Sequence, residues 1–519
     1  MLQTDELFNK GIHYFNNKNV QAAYDIFLQL NKKEPENIKV LEALASVVAI
    51  MGDLNKAGIF FEKALLLEGK KPSVSLLNNY AHLLQRAGDY DKAIIRYEEL
   101  LRQAPDYAQA WNNLGECYRT QMNFPKAMKC FERMLTLEAD NHDALNSLSY
   151  CYHTLCMWDK ADEINLHIFN LSKKEIEEGR PLIIKPFSAL FVKTNGKTLK
   201  NISISDSREI IKIQHKQKLA LQPVKDKRKH KRIRLGYFSV ALSNHATAHL
   251  IHDMFKHHDR DQFQIYIYAI NVNEKCPNFK KIKKAAEHLF ILNSLNDIES
   301  AELIQLHDLD VLVDLDGVIN KNKRRVLSLK PAPIQIAWLG YPGTSGAPWI
   351  DYILADNVVL PKEYEGNYTE KVLRMPDCYQ FNSFLSFEIK TSSRKDWGIP
   401  DDKFIFASFN VSRKFDRDTF DAWCEILRRT EDSLLWLLLD NEETYKILQA
   451  EMAKRSIDPK RLIKADRVGN EEHLKRFQLA DVFLDSFICN AHTTCTEALA
   501  AGLPVVTRQG ETFASRVAS

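Results

Sequence analysis

Over the first 170 residues the apolar positions follow a helical period, and the pattern itself repeats about every 34 residues. An Ala anchors each unit, at Ala23, Ala57, Ala93, Ala127 and Ala161, with spacings of 34, 36, 34 and 34. Twelve positions before each anchor stands a small residue: Gly11, Ala45, Ala81, Gly115 and Ser149. Four positions after it comes an aromatic in four of the units: Phe27, Phe61, Tyr97 and Phe131. Pro35 and Pro105 each close a unit. From about Leu171 to Arg232 the repeat is lost, although SISDSREIIKIQHKQKLAL still reads as a helix with Ser or Asp to cap it. Beyond Ile233 the pattern changes to short apolar runs alternating with amphipathic helices.

The repeating pattern is the tetratricopeptide one, clearest at Trp111, Leu114, Gly115, Tyr118, Ala127 and Phe131. Small residues let the two helices of a unit approach, and the aromatics fill the gap to the next unit. About five stacked units make a superhelix whose concave face binds peptides or proteins. The later alternation predicts parallel α/β sheets. Strands are expected at Ile233–Ser239, Gln264–Ile270, Val311–Gly317 and within Pro331–Gly346. A second set is expected at Phe404–Phe409, in SLLWLLL and RLIKADRV, at Val482–Leu484 and at Pro504–Thr507. These patterns divide the chain into repeats (1–170), a connector (171–232), a first α/β half (233–390) and a second (391–519).

Composition narrows the class. A 45% apolar and 27% charged content is ordinary for a globular protein, and a net charge of +3 suggests neither a nucleic-acid partner nor a membrane surface. The N-terminus lacks a signal-peptide core, and no run of about 18 apolar residues occurs. Nine Cys without paired spacing read as free thiols in a reducing, cytoplasmic setting (nuclear as well in a eukaryote) and not as a metal site. The basic run VKDKRKHKRIR reads as a solvated linker.

Candidate chemistry gathers after the strands, where α/β folds place it. In Asp481–Arg508 a strand leads through His492, Thr493 and Thr494 into a helix expected over Cys495–Ala501. The two Thr can cap that helix, whose free N–H groups and dipole suit a phosphate. Glu497, one turn on, can accept from ribose hydroxyls. Lys414, after the Phe404–Phe409 strand, can neutralise a departing diphosphate. His473 and Arg476 share a helix face. His245, after Ile233–Ser239, can serve as general base or hydrogen-bond donor. The Leu339-Gly340-Tyr341-Pro342-Gly343 turn falls at another strand end, with neither a dinucleotide nor a P-loop fingerprint.

Together these residues resemble the O-linked N-acetylglucosamine transferases, glycosyltransferase family 41. The blocks that carry the resemblance are GYFSVALSNHATAHL, KPAPIQIAWLGYPGTSGAPWIDYILAD, ASFNVSRKFD, EEHLKRFQLADVFLD, CNAHTTCTEALAAGLPVVT and GETFASRVAS. The resemblance implies a tetratricopeptide superhelix followed by a GT-B fold of two Rossmann-like halves. It implies inverting, metal-independent transfer of N-acetylglucosamine from UDP-GlcNAc to Ser and Thr hydroxyls of proteins, with no cofactor. His245 matches the family His near acceptor and sugar, a proposed base whose role is disputed. Leu339, Gly340 and Pro342 match the turn beside the sugar, and Lys414 the lysine at the diphosphate. His473 and Arg476 match the nucleotide-contacting helix. His492, Thr493 and Thr494 match the diphosphate-binding helix start, and Glu497 stands where the family usually has an Asp for the ribose.

Some positions depart from the family pattern. Val411 replaces a common Gln, Ala491 a Gly, and Glu302 and Gln305 lie where close relatives place an Asp and a His. DGVINKNKRR also differs after its DG. The chain stops at Ser519 in what reads as the opening turn of a helix, which implies an incomplete second half. Thr496-Glu497 and MPDCY resemble a sister branch, the SPINDLY-type protein O-fucosyltransferases that use GDP-fucose, whereas His492 fits the GlcNAc branch. A repeat scaffold with an inactive catalytic region is a third reading.

Overall fold

The computed structural model describes residues 2–180, 182–221, 230–319, 323–383 and 392–519. Most of the basic run at 224–234, part of DGVINKNKRR and the 390/391 boundary lie outside the described residues. The chain forms two compact units, Met1–Cys151 and Tyr152–Ser519.

The first unit is helical: α1 (Leu2–Asn16), α2 (Val20–Lys33), α3 (Ile38–Ile50), α4 (Leu54–Glu68), α5 (Val74–Ala87), α6 (Tyr90–Gln103), α7 (Ala108–Thr120) and α8 (Phe124–Leu137). The next helix, α9 (His142–Thr154), runs across the boundary. Side chains of Asn19, Asn37, Asp53, Ser73, Asp89 and Asn123 cap helix starts by accepting from backbone N–H groups. The packing explains the repeat pattern. A Cβ on Gly11 would lie 2.6 Å from the Phe27 ring, and one on Gly115 would lie 2.5 Å from the Phe131 ring. The anchors Ala23, Ala57, Ala93 and Ala127 are fully buried.

The second unit opens with α10 (Trp158–Glu177), α11 (Pro186–Ala189) and α12 (Gly196–Lys216). The α12 cap is Asn195, whose side chain accepts from Thr198 N–H, and not the Ser or Asp the sequence suggested. The connector is built into the first α/β half. A Cβ on Gly346 would come 2.2 Å from the Ser203 backbone of α12. Ser207 Oγ donates to Ser345 O (3.0 Å), Tyr341 Oη to Pro186 O (3.2 Å), and buried Arg324 pairs with Asp206.

The first half contains β1 (Ile233–Ser239), α13 (Ala246–Ile251), β2 (Phe263–Ala269), α14 (Pro277–Ala285), β3 (His288–Ile291), α15 (Asp297–Leu306), β4 (Val311–Asp314), α16 (Arg324–Ser328), β5 (Ile334–Ala337), β6 (Tyr352–Ala355) and β7 (Lys371–Arg374). Its seven strands run parallel in the order β3-β2-β1-β4-β5-β6-β7. The second half contains β8 (Phe404–Ser408), α17 (Arg417–Arg429), β9 (Ser433–Leu438), α18 (Glu442–Lys454), β10 (Leu462–Ala465), α19 (Asn470–Arg476), β11 (Val482–Leu484), α20 (Thr493–Ala500) and β12 (Val505–Val506). Its five strands are also parallel, in the order β10-β9-β8-β11-β12. Tetratricopeptide repeats are thus followed by two doubly wound sheets, the GT-B architecture. Strand order reverses between β1 and β4 and between β8 and β11. A ligand crevice opens at such switch points, outside the carboxyl ends of the strands. The loops leaving these four strands include the ones that carry His245, Lys414 and His492.

Three strands, β3, β6 and β7, are additions to the sequence reading. Each has four residues, and β3 and β7 are partly exposed.

Candidate functional site

A cavity of about 750 Å³ lies between the two sheets of the second unit. Its wall includes His245, Leu339, Gly340, Pro342, Lys414, His473, Arg476, His492, Thr493 and Thr494. Glu497 reaches it indirectly, through His473.

On the first-half side, His245 is the N-cap of α13, and its Nδ1 accepts from Thr247 N–H (3.2 Å). With that lone pair used, the neutral ring carries its proton on Nε2. Burial and the neighbouring His249 lower its pKa, so the ring is neutral at pH 7. In this arrangement His245 offers an N–H; acting as a base requires the other tautomer.

The loop that bears His245 is rooted on Asp316, just after β4. Its carboxylate accepts from Ser239 Oγ (2.6 Å) and Val240 N–H (2.7 Å). Burial, with Asp314 beside it, raises its pKa. The same β4 exit supports the Leu339–Gly343 turn, for Gly340 leaves no room for a side chain: a Cβ there would lie 2.3 Å from Leu315 O. Leu339, next to it, holds φ of 76°, a left-handed conformation that strains a branched residue.

On the second-half side, a single 3-10 turn after β8, Ser412–Lys414, presents Lys414. Its Nζ donates to Asn490 O (2.6 Å), two residues before His492. Buried Asp485, at the end of β11, ties three strand exits together. It accepts from Asn410 Nδ2 (3.0 Å), Ala491 N–H (2.6 Å) and Thr507 Oγ1 (2.7 Å). The sequence reading did not find this carboxylate.

Helix α20 starts earlier than the sequence suggested, at Thr493 instead of Cys495. His492 is its N-cap residue, without a side-chain cap bond, so the Thr pair forms the first turn and does not cap it. The first helical bond runs from Cys495 N–H to His492 O (3.1 Å). The Thr493 and Thr494 N–H groups precede it, as at any helix start, and both residues line the cavity.

His492 itself is pushed down to about 3 by desolvation and by the Lys414 charge, so it is neutral. The unfolded chain has an ordinary His near 6.5. The folded state therefore holds its full stability above that pH and loses it as pH falls toward 3, because the unfolded state binds the extra proton. His492→Gln removes this proton. The thermal midpoint gap between wild type and His492→Gln is expected to shrink from pH 7 to pH 4 in scanning fluorimetry. A constant gap would mean that folded His492 protonates normally.

Helix α19 starts a chain of hydrogen bonds. Buried Arg476 donates to Asp466 O (2.8 Å) and to His473 Nδ1, and lies 4.3 Å from the Phe409 ring. Burial brings it to about 10, still charged at neutral pH. Since Nδ1 accepts, His473 points its Nε2–H at Glu497 Oε2 (3.3 Å). Glu497 is buried, and its carboxylate is paired with His473. Phe187, Phe191, Tyr379, Gln380 and Cys489 also line the cavity. Sequence reasoning missed them, and no local spacing marks them.

Two facing doubly wound parallel sheets with a cation and a helix start at one crevice make up the GT-B architecture. Residues 155–386 and 382–519 match Glycosyl transferase family 41, and the chain belongs to that family. Residues 72–139 match the Tetratricopeptide repeat. The chain is similar to the probable UDP-N-acetylglucosamine–peptide N-acetylglucosaminyltransferase SEC of Arabidopsis thaliana, 32% identical over 70% of this chain and 38% of that protein. It is also similar to the UDP-N-acetylglucosamine–peptide N-acetylglucosaminyltransferase of Caenorhabditis elegans, 27% identical over 56% of this chain and 35% of that protein. It thus spans little more than a third of these relatives. The solved structure of a Thermobaculum terrenum O-GlcNAc transferase mutant shares the fold, with TM-score 0.59 at 20% identity, covering 99% of this chain and 84% of that one.

Proposed function

We propose that this chain is a protein O-GlcNAc transferase that moves N-acetylglucosamine from UDP-GlcNAc to Ser and Thr hydroxyls, with inversion and without a metal. The observation that carries the reading is the convergence of Lys414 and the start of α20 on the cavity that His245 and the Leu339–Pro342 turn face from the other sheet. The acceptor oxygen bonds to the sugar C1 while the C1–phosphate bond breaks. The nucleoside diphosphate leaves with the bonding pair, and the hydroxyl proton is released. A Ser hydroxyl is a weak nucleophile, so stabilising the leaving group supplies most of the acceleration. Lys414 and the Thr493 and Thr494 N–H groups do this. His245, through its Nε2–H, orients the acceptor or sugar. His473, Arg476 and Glu497 hold the nucleoside end. Protein acceptors reach the site by way of the tetratricopeptide repeats. A reducing cytoplasm suits nine cysteines that are all free thiols.

A second reading, transfer of fucose from GDP-fucose, has one observation of its own. The two segments that resemble that branch meet, Gln380 Nε2 (just after MPDCY) donating to Thr496 Oγ1 at 2.7 Å. Thermal shift separates the readings. UDP is expected to raise the unfolding midpoint and GDP to leave it in place. Selective stabilisation by GDP would transfer the assignment to fucose, and no response to either would favour an inactive scaffold.

A further inference from the structure

The turn between α9 and α10, Leu155–Met157 with its flanks Thr154 and Trp158, belongs by sequence to the fifth repeat. It lies in the hydrophobic core of the second α/β half, where Cys156 and Trp158 pack with Phe415, Phe420 and Trp423. Cys156 adopts φ of 55° to make the turn. What the turn touches is the short segment that carries Lys414.

Three hydrogen bonds join them, on both sides of the lysine. Ser412 Oγ donates to Thr154 O (2.6 Å), and Cys156 Sγ donates weakly to Ser412 O (3.7 Å). Trp158 Nε1 donates to Phe415 O (2.7 Å). Thr444 Oγ1, at the start of α18, also donates to Thr154 O (3.1 Å). The Trp158 ring is fixed in turn, 5.3 Å from Phe420 and 5.6 Å beneath the Arg455 guanidinium. The Ser412–Lys414 turn makes two backbone bonds of its own, Lys414 N–H to Val411 O (3.0 Å) and Phe415 N–H to Ser412 O (2.8 Å). The outside partners tie that turn down on either side of the lysine, while Lys414 Nζ meets Asn490 on the far side.

We propose that Trp158 is a positioning residue for Lys414: its indole N–H, with Thr154 and Ser412, fixes the backbone on which the lysine approaches the leaving diphosphate. The proposal rests on the leaving-group role given to Lys414 above. Misplacement of a charged group by a fraction of an ångström weakens an interaction made in the transition state more than one made in the ground state.

Trp158→Phe in the full chain removes the N–H and keeps an aromatic ring in the core. Two readouts test it. The first needs neither donor nor activity: brief acetylation with isotope-labelled acetic anhydride, read by peptide mass spectrometry as the Lys414 rate relative to that of Lys403. The ratio is expected to rise severalfold in Trp158→Phe. A ratio equal to wild type, in a variant that still unfolds cooperatively, overturns the proposal. The second is steady-state transfer, where kcat is expected to fall about tenfold with the donor KM little changed. A loss that merely follows the folded fraction also overturns it. If wild type transfers neither sugar, the functional reading fails and the labelling ratio still decides the positioning claim. Should Trp158→Phe fail to fold, Ser412→Ala, which removes the bond to Thr154 and leaves the indole in place, is expected to raise the same ratio, and an unchanged ratio there refutes the idea.

Discussion

Lys414→Ala is expected to lower the turnover number for sugar transfer by at least about 100-fold, roughly 3 kcal/mol of transition-state stabilisation, with little effect on folding. Lys414 is a lining residue and not a core one, and its side chain crosses from the β8 exit to the carbonyl of Asn490 in the β11 exit. The Asn490 carbonyl occupies one of its three ammonium donors, and the buried Asp485 carboxyl feels its charge. In the proposed transfer the diphosphate gains negative charge as the C1–O bond breaks, so its contact with Lys414 strengthens toward the transition state. Truncation should therefore affect kcat more than donor affinity. Lys414→Arg keeps the charge, but its planar fork cannot occupy the same point geometry, and it should recover activity only in part. Steady-state kinetics with thermal midpoints for all three proteins check this. Turnover retained in Lys414→Ala would remove the lysine from the mechanism.

Much of this architecture was legible in the chain. The 34-residue period is written in small residues and aromatics, and the close approaches of Gly11 to Phe27 and of Gly115 to Phe131 are its physical cause. The long apolar strands β1, β2, β8 and β9 were found within one or two residues, because a strand buried on both faces is a continuous apolar run. The short strands β3, β6 and β7 carry no such run.

The site was legible as a set of strand exits and not as a geometry. His473 and Arg476, three apart, do bond to each other, as helix spacing implies. That Glu497 closes the chain by pairing with His473 depends on how α19 and α20 pack. The buried carboxylates were not legible either. Nothing in the local sequence marks Asp316 or Asp485, and only their partners reveal that each anchors a strand-exit loop. Trp158 is the extreme case. It lies within the repeat region 1–170, while its hydrogen-bond partner, the Phe415 carbonyl, lies 257 residues away. No periodicity in a sequence encodes a contact of that range.

Gly340→Ala is expected to abolish transfer and to lower the thermal midpoint together. The added Cβ would sit 2.3 Å from Leu315 O, 3.0 Å from Asp316 Cα and 3.0 Å from Asp316 O. All three neighbours are backbone atoms, so no side chain can swing away to make room. Either the Leu339–Gly343 turn lifts off the β4 exit, or the β4 exit moves. The first displaces Leu339 and Pro342 from the cavity wall. The second moves Asp316 away from Ser239 and Val240, and with them the root of the His245 loop. Overpacking of this kind costs on the order of 1–3 kcal/mol. The activity loss should be larger than the stability loss, because both routes end in site residues. Gly366→Ala is the control, since nothing lies within 4 Å of a Cβ there, and it should behave as wild type. If Gly340→Ala kept wild-type kcat and midpoint, the turn would be free to move, and the β4 exit would not rigidly support both the Leu339–Gly343 turn and the His245 loop.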